Sequence, residues 1–412
     1  MEYLKRFADT TLKKRLHDSG AVLIQGAKGC GKTETALQAA KSSIRLDVDS
    51  DVPVRMELAP WSVLEGPVPR LVDEWQEQPQ IWNYIRREVD DRKKKGQFIL
   101  TGSANPQERA RLHSGAGRFS VMRMRPMSLF ERGWSTGEVS LAGILKGRLP
   151  KSAPVDLDIG TMAEKLTIGG WPSLLNSGSR EALRFMQDYS TLIAEVDVSR
   201  VSGKKRDPQR VGRLLQSLSR NISTEASLTS LAKDTGGVTD ETITEYLDVL
   251  ERLMILEQLP AWSTHIRSSD TLRKAPKRHF VDPSFAIGVL GLSVDKLISD
   301  MNYFGFLFES LVIRDLRIYA DLYDGKVFHY RDSRNMEIDA IVEYPDNTWA
   351  AFEVKMGFSA QDEAAAHLIN FAGKIDQDKM GKPAALSIIT ANGFACRRKD
   401  GVNVVPLQVL TA

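Results

Sequence analysis

A glycine-rich segment near the amino terminus has the residue types and spacing that bind a chain of phosphates. Residues 26–33 read Gly-Ala-Lys-Gly-Cys-Gly-Lys-Thr and match the pattern G-x-x-x-x-G-K-[ST] at every fixed position. Glycines let backbone N–H groups turn toward phosphate oxygens, while Lys32 reaches the β- and γ-phosphates and Thr33 holds Mg²⁺. The predicted contacts to ATP are Gly26, Ala27, Lys28, Gly29, Cys30, Gly31, Lys32, Thr33 and Glu34.

An acidic pair, Asp73 and Glu74, follows the short segment 69–72, about 40 residues after Thr33. In P-loop enzymes a carboxylate at the end of such a strand holds Mg²⁺, and an acidic neighbour polarises the attacking water. We therefore predict Asp73 as a Mg²⁺ ligand and Glu74 as a catalytic residue. The strand is weak, because a proline and an arginine stand where apolar residues are usual.

Two further side chains could contact the γ-phosphate. Segment 98–103 reads as a strand that ends in hydroxyls, so Ser103 or Thr101 could sense the γ-phosphate or the lytic water; the alternative is the start of a turn. Arg118 lies on a glycine turn, where an arginine could stabilise the charge of phosphoryl transfer, in cis or from a neighbouring subunit. Its alternative is an ordinary surface position.

Strand and helix patterns alternate around these residues. Residues 21–24 are apolar and strand-like, and residues 34–41 are rich in helix-forming side chains, so the glycine-rich segment joins a strand to a helix. The alternation across residues 20–128 predicts an α/β fold with a doubly wound parallel sheet, whose ligands bind at the carboxyl ends of the strands.

A second set of polar residues lies near the carboxyl terminus. Glu309 sits in an apolar helical segment, where a buried carboxylate needs a partner, and Asp339 lies on an alternating strand. Glu353 and Lys355 share one face of the next strand. This fits the D-x(n)-[DE]-x-K pattern of metal-dependent nucleases, which predicts Glu309, Asp339 and Glu353 as Mg²⁺ ligands and Lys355 as a catalytic residue. The alternative is a salt-bridge cluster.

The middle of the chain reads as helices. Residues 129–205 form a helical connector, and residues 206–275 have the layout of a winged helix-turn-helix. The recognition helix of that layout is acidic, which makes it a poor reader of the major groove. Basic residues that could instead contact the DNA backbone lie on the preceding helix and on the wing: Lys204, Lys205, Arg206, Arg210, Arg213, Arg220, Arg267, Arg273, Lys274, Lys277 and Arg278. The alternative is a purely structural module. Further basic runs lie at residues 92–95 and 397–399.

Composition restricts the class of protein. The chain has 412 residues, a net charge of +3 and 26% charged residues, so nucleic-acid binding would depend on local patches. Its two cysteines give no disulfide framework, and no apolar run of about 18 residues predicts a membrane span. We expect a cytoplasmic protein without membrane contact.

Taken in order, these motifs resemble the bacterial and archaeal AAA-type ATPases that carry a C-terminal DUF4143 domain. The resemblance rests on six features: the phosphate loop, the Asp73–Glu74 pair, segment 100–103, Gly117–Arg118, the Gly-Gly-Trp-Pro turn at 169–172 and the carboxyl-terminal set. It implies a P-loop ATPase domain (1–128), the connector (129–205), a winged helix (206–275) and a PD-(D/E)XK nuclease-like domain (276–412).

Three functions remain open from the sequence. The first is an Mg²⁺-dependent ATP hydrolase that couples its cycle to DNA binding or processing. The second is a nucleotide-controlled switch that binds a protein partner and carries an inactive nuclease-like scaffold. The third is an ATP-gated, Mg²⁺-dependent DNA nuclease. The oligomeric state stays open as well.

Overall fold

The apolar segments of the amino-terminal part form one parallel sheet. The computed structural model describes residues 2–102, 115–148, 151–155, 158–263, 275–332, 334 and 336–412. Its first elements are α1 (Phe7–Asp18), β1 (Ala21–Gln25), α2 (Lys32–Ala39), β2 (Ser42–Arg45), α3 (Val52–Leu58), β3 (Arg70–Asp73), α4 (Ile81–Arg92), β4 (Phe98–Gly102) and β5 (Phe119–Arg123). The strand order is β2-β3-β4-β1-β5, and all pairs are parallel.

Apolar side chains cover this sheet on both faces. Along β1, Val22 and Ile24 belong to a core cluster with residues of α1 and α2, whereas Ala21 and Leu23 belong to a second cluster with residues of α3 and α4. The period of two along a strand sends alternate side chains to opposite faces. A strand buried on both sides is typical of a doubly wound sheet, as predicted.

Strand β3 is completely buried in spite of its polar start. Arg70 is 7% exposed, and it donates from Nε to the carbonyl oxygen of Val63 at 2.9 Å and from Nη1 to Oγ of Ser42 at 3.0 Å. Burial lowers the pKa of its guanidinium. These bonds satisfy a cation that the sequence alone marks as a defect in the strand.

The middle of the chain is mainly helical. Its elements are β6 (Val139–Ser140), α5 (Leu141–Ile144), α6 (Ile159–Ile168), α7 (Ser179–Leu192), a π-helical turn (Ile193–Asp197), α8 (Val198–Ser202), α9 (Pro208–Arg220), α10 (Leu228–Asp234), α11 (Asp240–Arg252), β7 (Leu256–Leu259) and β8 (Lys277–Phe280). Three helices, α9 to α11, are followed by the antiparallel pair β7 and β8. The winged helix-turn-helix stays a prediction, and residues 264–274 of its expected wing lie outside the described residues.

A second sheet dominates the carboxyl-terminal part. Its elements are α12 (Ser284–Leu290), α13 (Val294–Ser299), α14 (Met301–Asp321), β9 (Lys326–Arg331), β10 (Glu337–Glu343), β11 (Trp349–Lys355), α15 (Gln361–Lys374), α16 (Gln377–Met380), β12 (Ala385–Thr390), β13 (Cys396–Arg397), β14 (Asn403–Pro406) and β15 (Leu410–Thr411). Six strands lie in the order β13-β14-β12-β11-β10-β9. The β11–β12 and β12–β14 pairs are parallel, and the other pairs are antiparallel.

Buried charges join the Gly-Gly-Trp-Pro turn to this part of the chain. Arg314 on α14 donates to Asp282 at 2.6 Å and to Asp315 at 2.7 Å. Asp282 also accepts the backbone N–H of Gly170 at 2.9 Å, and Trp171 donates from its indole to Ser284 at 3.0 Å. The turn is therefore fixed by a network in which each buried charge has a partner of opposite sign.

The chain divides into two compact units that differ from the four predicted segments. The first comprises Met1–Pro126, Glu195–Arg206 and Tyr246–Ile255; the second comprises Met127–Ala194, Asp207–Glu245 and Leu256–Ala412. Most of the predicted connector thus belongs to the second unit, whereas its last residues return to the first. Among the described helices, none has the length and apolar character that a membrane span requires.

Candidate functional site

The phosphate loop connects β1 to α2 at the carboxyl edge of the parallel sheet. Gly29 and Gly31 have φ angles of +73° and +102°, a region that glycine enters without strain. A Cβ atom on Gly26 would lie 2.2 Å from the carbonyl oxygen of Met124, so this position requires a glycine. Both features belong to a loop whose backbone N–H groups turn inward.

Lys32 and Thr33 begin α2 inside this loop. Lys32 is 6% exposed, and its Nζ donates to the carbonyl oxygens of Gly26 and Ala27 at 2.9 Å each. Its ammonium therefore lies within the loop. Of the other predicted contact residues, Cys30 is buried and Glu34 points to solvent, which leaves backbone groups as their means of binding phosphate.

Asp73 ends β3 and faces the same loop. Thr33 donates from Oγ1 to Oδ1 of Asp73 at 3.0 Å, and Thr101 at the end of β4 donates to the same oxygen. Asp73 is 6% exposed. The hydroxyl and the carboxylate predicted to hold Mg²⁺ are thus in direct contact, and Thr101 orients the carboxylate.

Glu74 follows Asp73 with a left-handed backbone. Its φ angle is +52°, which is uncommon for a residue with a Cβ atom. Its carboxylate accepts a hydrogen bond from the side-chain amide of Gln76. The bend turns the chain at the end of the strand, and the adjacent Trp75 is buried in the core. The structure thus places Glu74 at the carboxyl edge of the sheet.

Two further catalytic residues, Ser103 and Arg118, were predicted in the amino-terminal part. Ser103 lies outside the described residues. Arg118 lies immediately before β5, and its carbonyl oxygen accepts from the N–H of Ala21 at the start of β1. It is therefore at the amino edge of the sheet, opposite the loop, where its Nε donates to Asp90 at 2.9 Å. This placement corrects the predicted role in cis.

Several contacts around the loop were missed at the sequence level. Arg6, just before α1, donates to the carbonyl oxygens of Cys30 at 3.2 Å and Arg125 at 2.9 Å, and it is 5% exposed. Tyr3 lies 2.9 Å from the hydroxyl of Thr35 on α2. No motif marks these residues, because they support the loop from outside its sequence.

A second missed contact involves the loop residue Lys28. Its Nζ lies 2.5 Å from Oδ1 of Asp197, a residue of the π-helical turn that is 5% exposed. Three residues later Arg200 forms an ion pair with Glu77, shortly after the acidic pair. Residues 195–206 are thus held at two points on the carboxyl edge of the sheet, where the nucleotide phosphates are predicted to bind.

The carboxyl-terminal set of polar residues surrounds a cavity of about 610 Å³ in the second unit. Glu353 on β11 contacts Lys355 and His367, each at 2.9 Å. Asp339 on β10 accepts the backbone N–H of Val354 at 2.8 Å. The structure therefore brings the four predicted residues Glu309, Asp339, Glu353 and Lys355 to one cavity.

Lys277 on β8 is the unexpected member of this centre. Its Nζ lies 2.9 Å from Oε1 of Glu309, 2.6 Å from Oε1 of Glu337 and 3.9 Å from Oδ1 of Asp339. Burial opposes the charge of this lysine, but the three carboxylates outweigh it and raise its pKa. Lys277 is the partner that Glu309 was expected to need. The sequence indicated that a buried carboxylate requires a partner, but it did not indicate which residue supplies it.

Three carboxylates of the centre have shifted pKa values. Burial raises the pKa of Glu309 to about 7, although Lys277 opposes the shift. Burial and the nearby Asp339 raise the pKa of Glu353 to about 8. The pKa of Glu337 is lowered, because the attraction of Lys277 exceeds the effect of burial. Closely spaced carboxylates share too few cations for all of them to ionise readily.

This centre does not fit a divalent cation. An ammonium already lies among the oxygens that a metal would need, and Mg²⁺ requires oxygens at about 2.0–2.1 Å around an open position. In the described part of the chain, no group of three or more His, Cys, Asp or Glu side chains is arranged to hold a metal ion. The predicted ligands Glu309 and Asp339 lie beside Lys277, and Glu353 contacts Lys355 and His367.

Basic residues predicted to contact DNA are partly buried. Lys277 and Arg278 are 3% and 8% exposed, so they are not available to phosphates. Arg398 is paired with Asp362 and Asp400. Arg210, Arg213 and Arg220 on α9 are exposed, whereas α11 exposes the acidic residues Asp240, Glu241, Glu245 and Asp248. Glu257 is removed from that acidic surface by its buried ion pair with Arg317.

Comparison with known families divides the chain in three. Residues 18–132 match the AAA domain, residues 160–296 match a domain of unknown function (DUF8612), and residues 304–410 match a second domain of unknown function (DUF4143). No curated protein matches the chain.

Two solved structures show a weak likeness. A DNA replication initiation factor is 14% identical over 58% of this chain and 84% of its own, with a TM-score of 0.23. A signal transduction ATPase with numerous domains (STAND) protein with a tetratricopeptide repeat sensor, from Pyrococcus horikoshii, is also 14% identical, over 78% of this chain and 49% of its own, with a TM-score of 0.22.

The family matches fall on the predicted phosphate loop and on the carboxyl-terminal centre. The chain therefore carries an AAA domain in its amino-terminal part and a DUF4143 domain in its carboxyl-terminal part, the two domains that the resemblance implied.

Proposed function

We propose that this chain is an Mg²⁺-dependent ATP hydrolase. The observation that carries the proposal is the contact between Thr33 and Asp73, 3.0 Å apart, beside the buried ammonium of Lys32. A hydroxyl and a carboxylate together suit the oxygen preference of Mg²⁺, and the loop supplies N–H groups for the phosphates. The residues present therefore fit Mg-ATP.

Each residue has a separate task in this proposal. Lys32 leaves the carbonyl oxygens of the loop and donates to the β- and γ-phosphates, while Thr33 and Asp73 hold the metal. Bound Mg²⁺ neutralises charge on the phosphates. Glu74, at the edge of the sheet beside Asp73, orients and deprotonates the attacking water. The backbone of the loop binds the remaining phosphate oxygens.

Two substitutions test this assignment by separating binding from turnover. Lys32→Ala removes the ammonium that binds the phosphates, so we expect no measurable binding of ATP. Glu74→Gln keeps the shape of the side chain but removes the base, so we expect ATP to bind normally and turnover to fall by about two orders of magnitude. Unchanged turnover in Glu74→Gln would show that another residue activates the water.

A second function, a nucleotide-controlled switch that acts on a protein partner, is favoured by the contacts of residues 195–206. This segment reaches the loop through Asp197 and reaches α11 through two contacts. Arg252 donates to the carbonyl oxygen of Val201 at 3.1 Å, and the guanidinium of Arg206 lies 5.1 Å from the ring centre of Tyr246. The exposed acidic residues of α11 suit a basic protein surface better than DNA.

Two measurements decide between DNA coupling and the switch. Phosphate release with and without single-stranded, duplex and branched DNA tests the coupling, because a DNA-coupled ATPase is stimulated by its substrate. Hydrogen exchange of residues 195–206 with ATP, with ADP and without nucleotide tests the switch. Stimulation by DNA with unchanged exchange would reject the switch; slow turnover indifferent to DNA, with changed exchange, would support it.

A further inference from the structure

We propose that Lys277 is the resident cation of the carboxyl-terminal centre, and that its side chain keeps divalent cations out of a latent metal site. The centre has the carboxylates of a metal-dependent nuclease, but their counter-charge is built into the chain. All residues of this centre belong to the second unit, and their arrangement does not depend on ATP hydrolysis.

The distances describe an ammonium in the position of an ion. Nζ of Lys277 lies within 2.9 Å of oxygens from both Glu309 and Glu337, and 3.9 Å from Asp339. These carboxylates come from helix α14 and strand β10, so separate elements converge on one positive charge. A lysine at a surface would rarely meet three acidic side chains at once, because exposed ion pairs contribute little and are loosely ordered.

Burial holds the Lys277 side chain in this position in the folded protein. Only 4% of the Lys277 side chain is exposed, and its strand β8 is hydrogen-bonded to β7 along its length. Swinging the ammonium into solvent would leave Glu309, itself 9% exposed, without its closest cation. The penalty for an unpaired buried charge therefore keeps Lys277 in place.

The remaining carboxylate of the centre, Glu353, also has basic side chains beside it. Glu353 contacts Lys355 and His367, which leaves no oxygen of that carboxylate without a nearby basic group. An entering divalent cation would meet the charge of Lys277 beside Glu309, Glu337 and Asp339. It would meet the charge of Lys355 beside Glu353. Like charges at such separations repel strongly where water is scarce.

Mn²⁺ binding to the full-length protein without nucleotide tests the proposal, with free Mn²⁺ followed by electron paramagnetic resonance. Wild type and Asp339→Asn should bind the same amount of Mn²⁺, because the centre contributes no site. Lys277→Met removes the charge and keeps the length of the side chain; it should gain one equivalent of Mn²⁺, at least about tenfold tighter than any site of the wild type. The double variant with Asp339→Asn should lose it again.

Two results would overturn the proposal. One is Mn²⁺ bound by the wild type and lost in Asp339→Asn; the other is a folded Lys277→Met protein that gains no Mn²⁺. Should Lys277→Met fail to fold, the comparison of wild type with Asp339→Asn still decides the first point. Lys277→Gln, whose amide can donate to the carboxylates, then serves as the second charge-removing variant.

Discussion

Replacing Asp197 by asparagine is expected to tighten the binding of ATP about tenfold, because the carboxylate competes with phosphate for Lys28. Oδ1 of Asp197 lies 2.5 Å from Nζ of Lys28, which belongs to the loop that cradles the phosphates. Asparagine keeps the size of the side chain and removes only its charge. Binding of ATP therefore loses both a competitor for the ammonium of Lys28 and a repulsive neighbour.

The magnitude follows from the geometry of this ion pair. A phosphate oxygen that contacts Lys28 would lie about 5 Å from the Asp197 carboxylate, because two hydrogen bonds of ordinary length meet at Nζ. At that distance two unit charges repel by about 3 kcal/mol at a dielectric constant of about 20, and by about 0.8 kcal/mol in water. The side chain of Lys28 is 40% exposed, which favours the lower part of this range. A difference of about 1.4 kcal/mol corresponds to a tenfold change in Kd.

Equilibrium binding of a fluorescent ATP analogue measures the effect. Asp90→Asn is the matched control, because it removes a carboxylate from the ion pair with Arg118 at the opposite edge of the sheet. We expect its Kd to equal that of the wild type. The advantage of Asp197→Asn should also shrink at high salt, where charges are screened. Equal or weaker binding in Asp197→Asn would refute the competition and make the ion pair a support of the loop.

Three other substitutions test separate features of the structure. Gly26→Ala should lower the free energy of unfolding of the first unit by about 1–3 kcal/mol, because its Cβ atom would lie 2.2 Å from a backbone oxygen. Urea unfolding measures this, and the exposed helical Gly373→Ala, with no atom within 4 Å of its Cβ, is the control that should not destabilise. Arg314→Met should lower the free energy of unfolding by about 3–5 kcal/mol in the same assay, because Asp282 and Asp315 lose their buried cation. A decrease below about 1 kcal/mol would contradict a stabilising role for this network. Burial raises the pKa of Glu353 from 4.5 to about 8, so the folded protein holds this proton more tightly, and the free energy of unfolding should fall as pH rises between those values. Glu353→Gln should flatten that slope; a variant with the slope of the wild type would show that other groups cause it.

Local sequence patterns were sufficient to predict the amino-terminal fold. The loop pattern, the apolar segments and the acidic pair occur in chain order, and each depends on neighbours within a few residues. The predicted strands agree with β1, β3 and β4 to within a residue or two. The position of Arg118 at the amino edge of the sheet contradicts a role in cis, because a glycine turn does not indicate which edge of the sheet it occupies; a role from a neighbouring subunit stays a prediction.

Contacts between distant segments explain what the sequence could not provide. Lys277 stands in a basic run, and only the fold brings it to Glu309, 32 residues away along the chain. Asp197 lies 169 residues from Lys28, in a segment that was predicted to be a connector. Whether a charged side chain is solvated or buried depends on residues that are distant in the sequence. Patterns of charge along the chain therefore predict buried ion pairs such as these poorly.

The same contacts suggest how the nucleotide could act at a distance. ATP that occupies Lys28 would weaken the hold on Asp197, and this residue lies in a π-helical turn, a conformation common at functional sites. The segment that follows ends at Arg206, which packs on Tyr246 of α11. The part of α11 in the first unit, which includes Tyr246 and Arg252, would therefore follow a displacement of this segment. The carboxylate of Asp197, beside the phosphate loop, is therefore the group through which bound nucleotide would act on this segment.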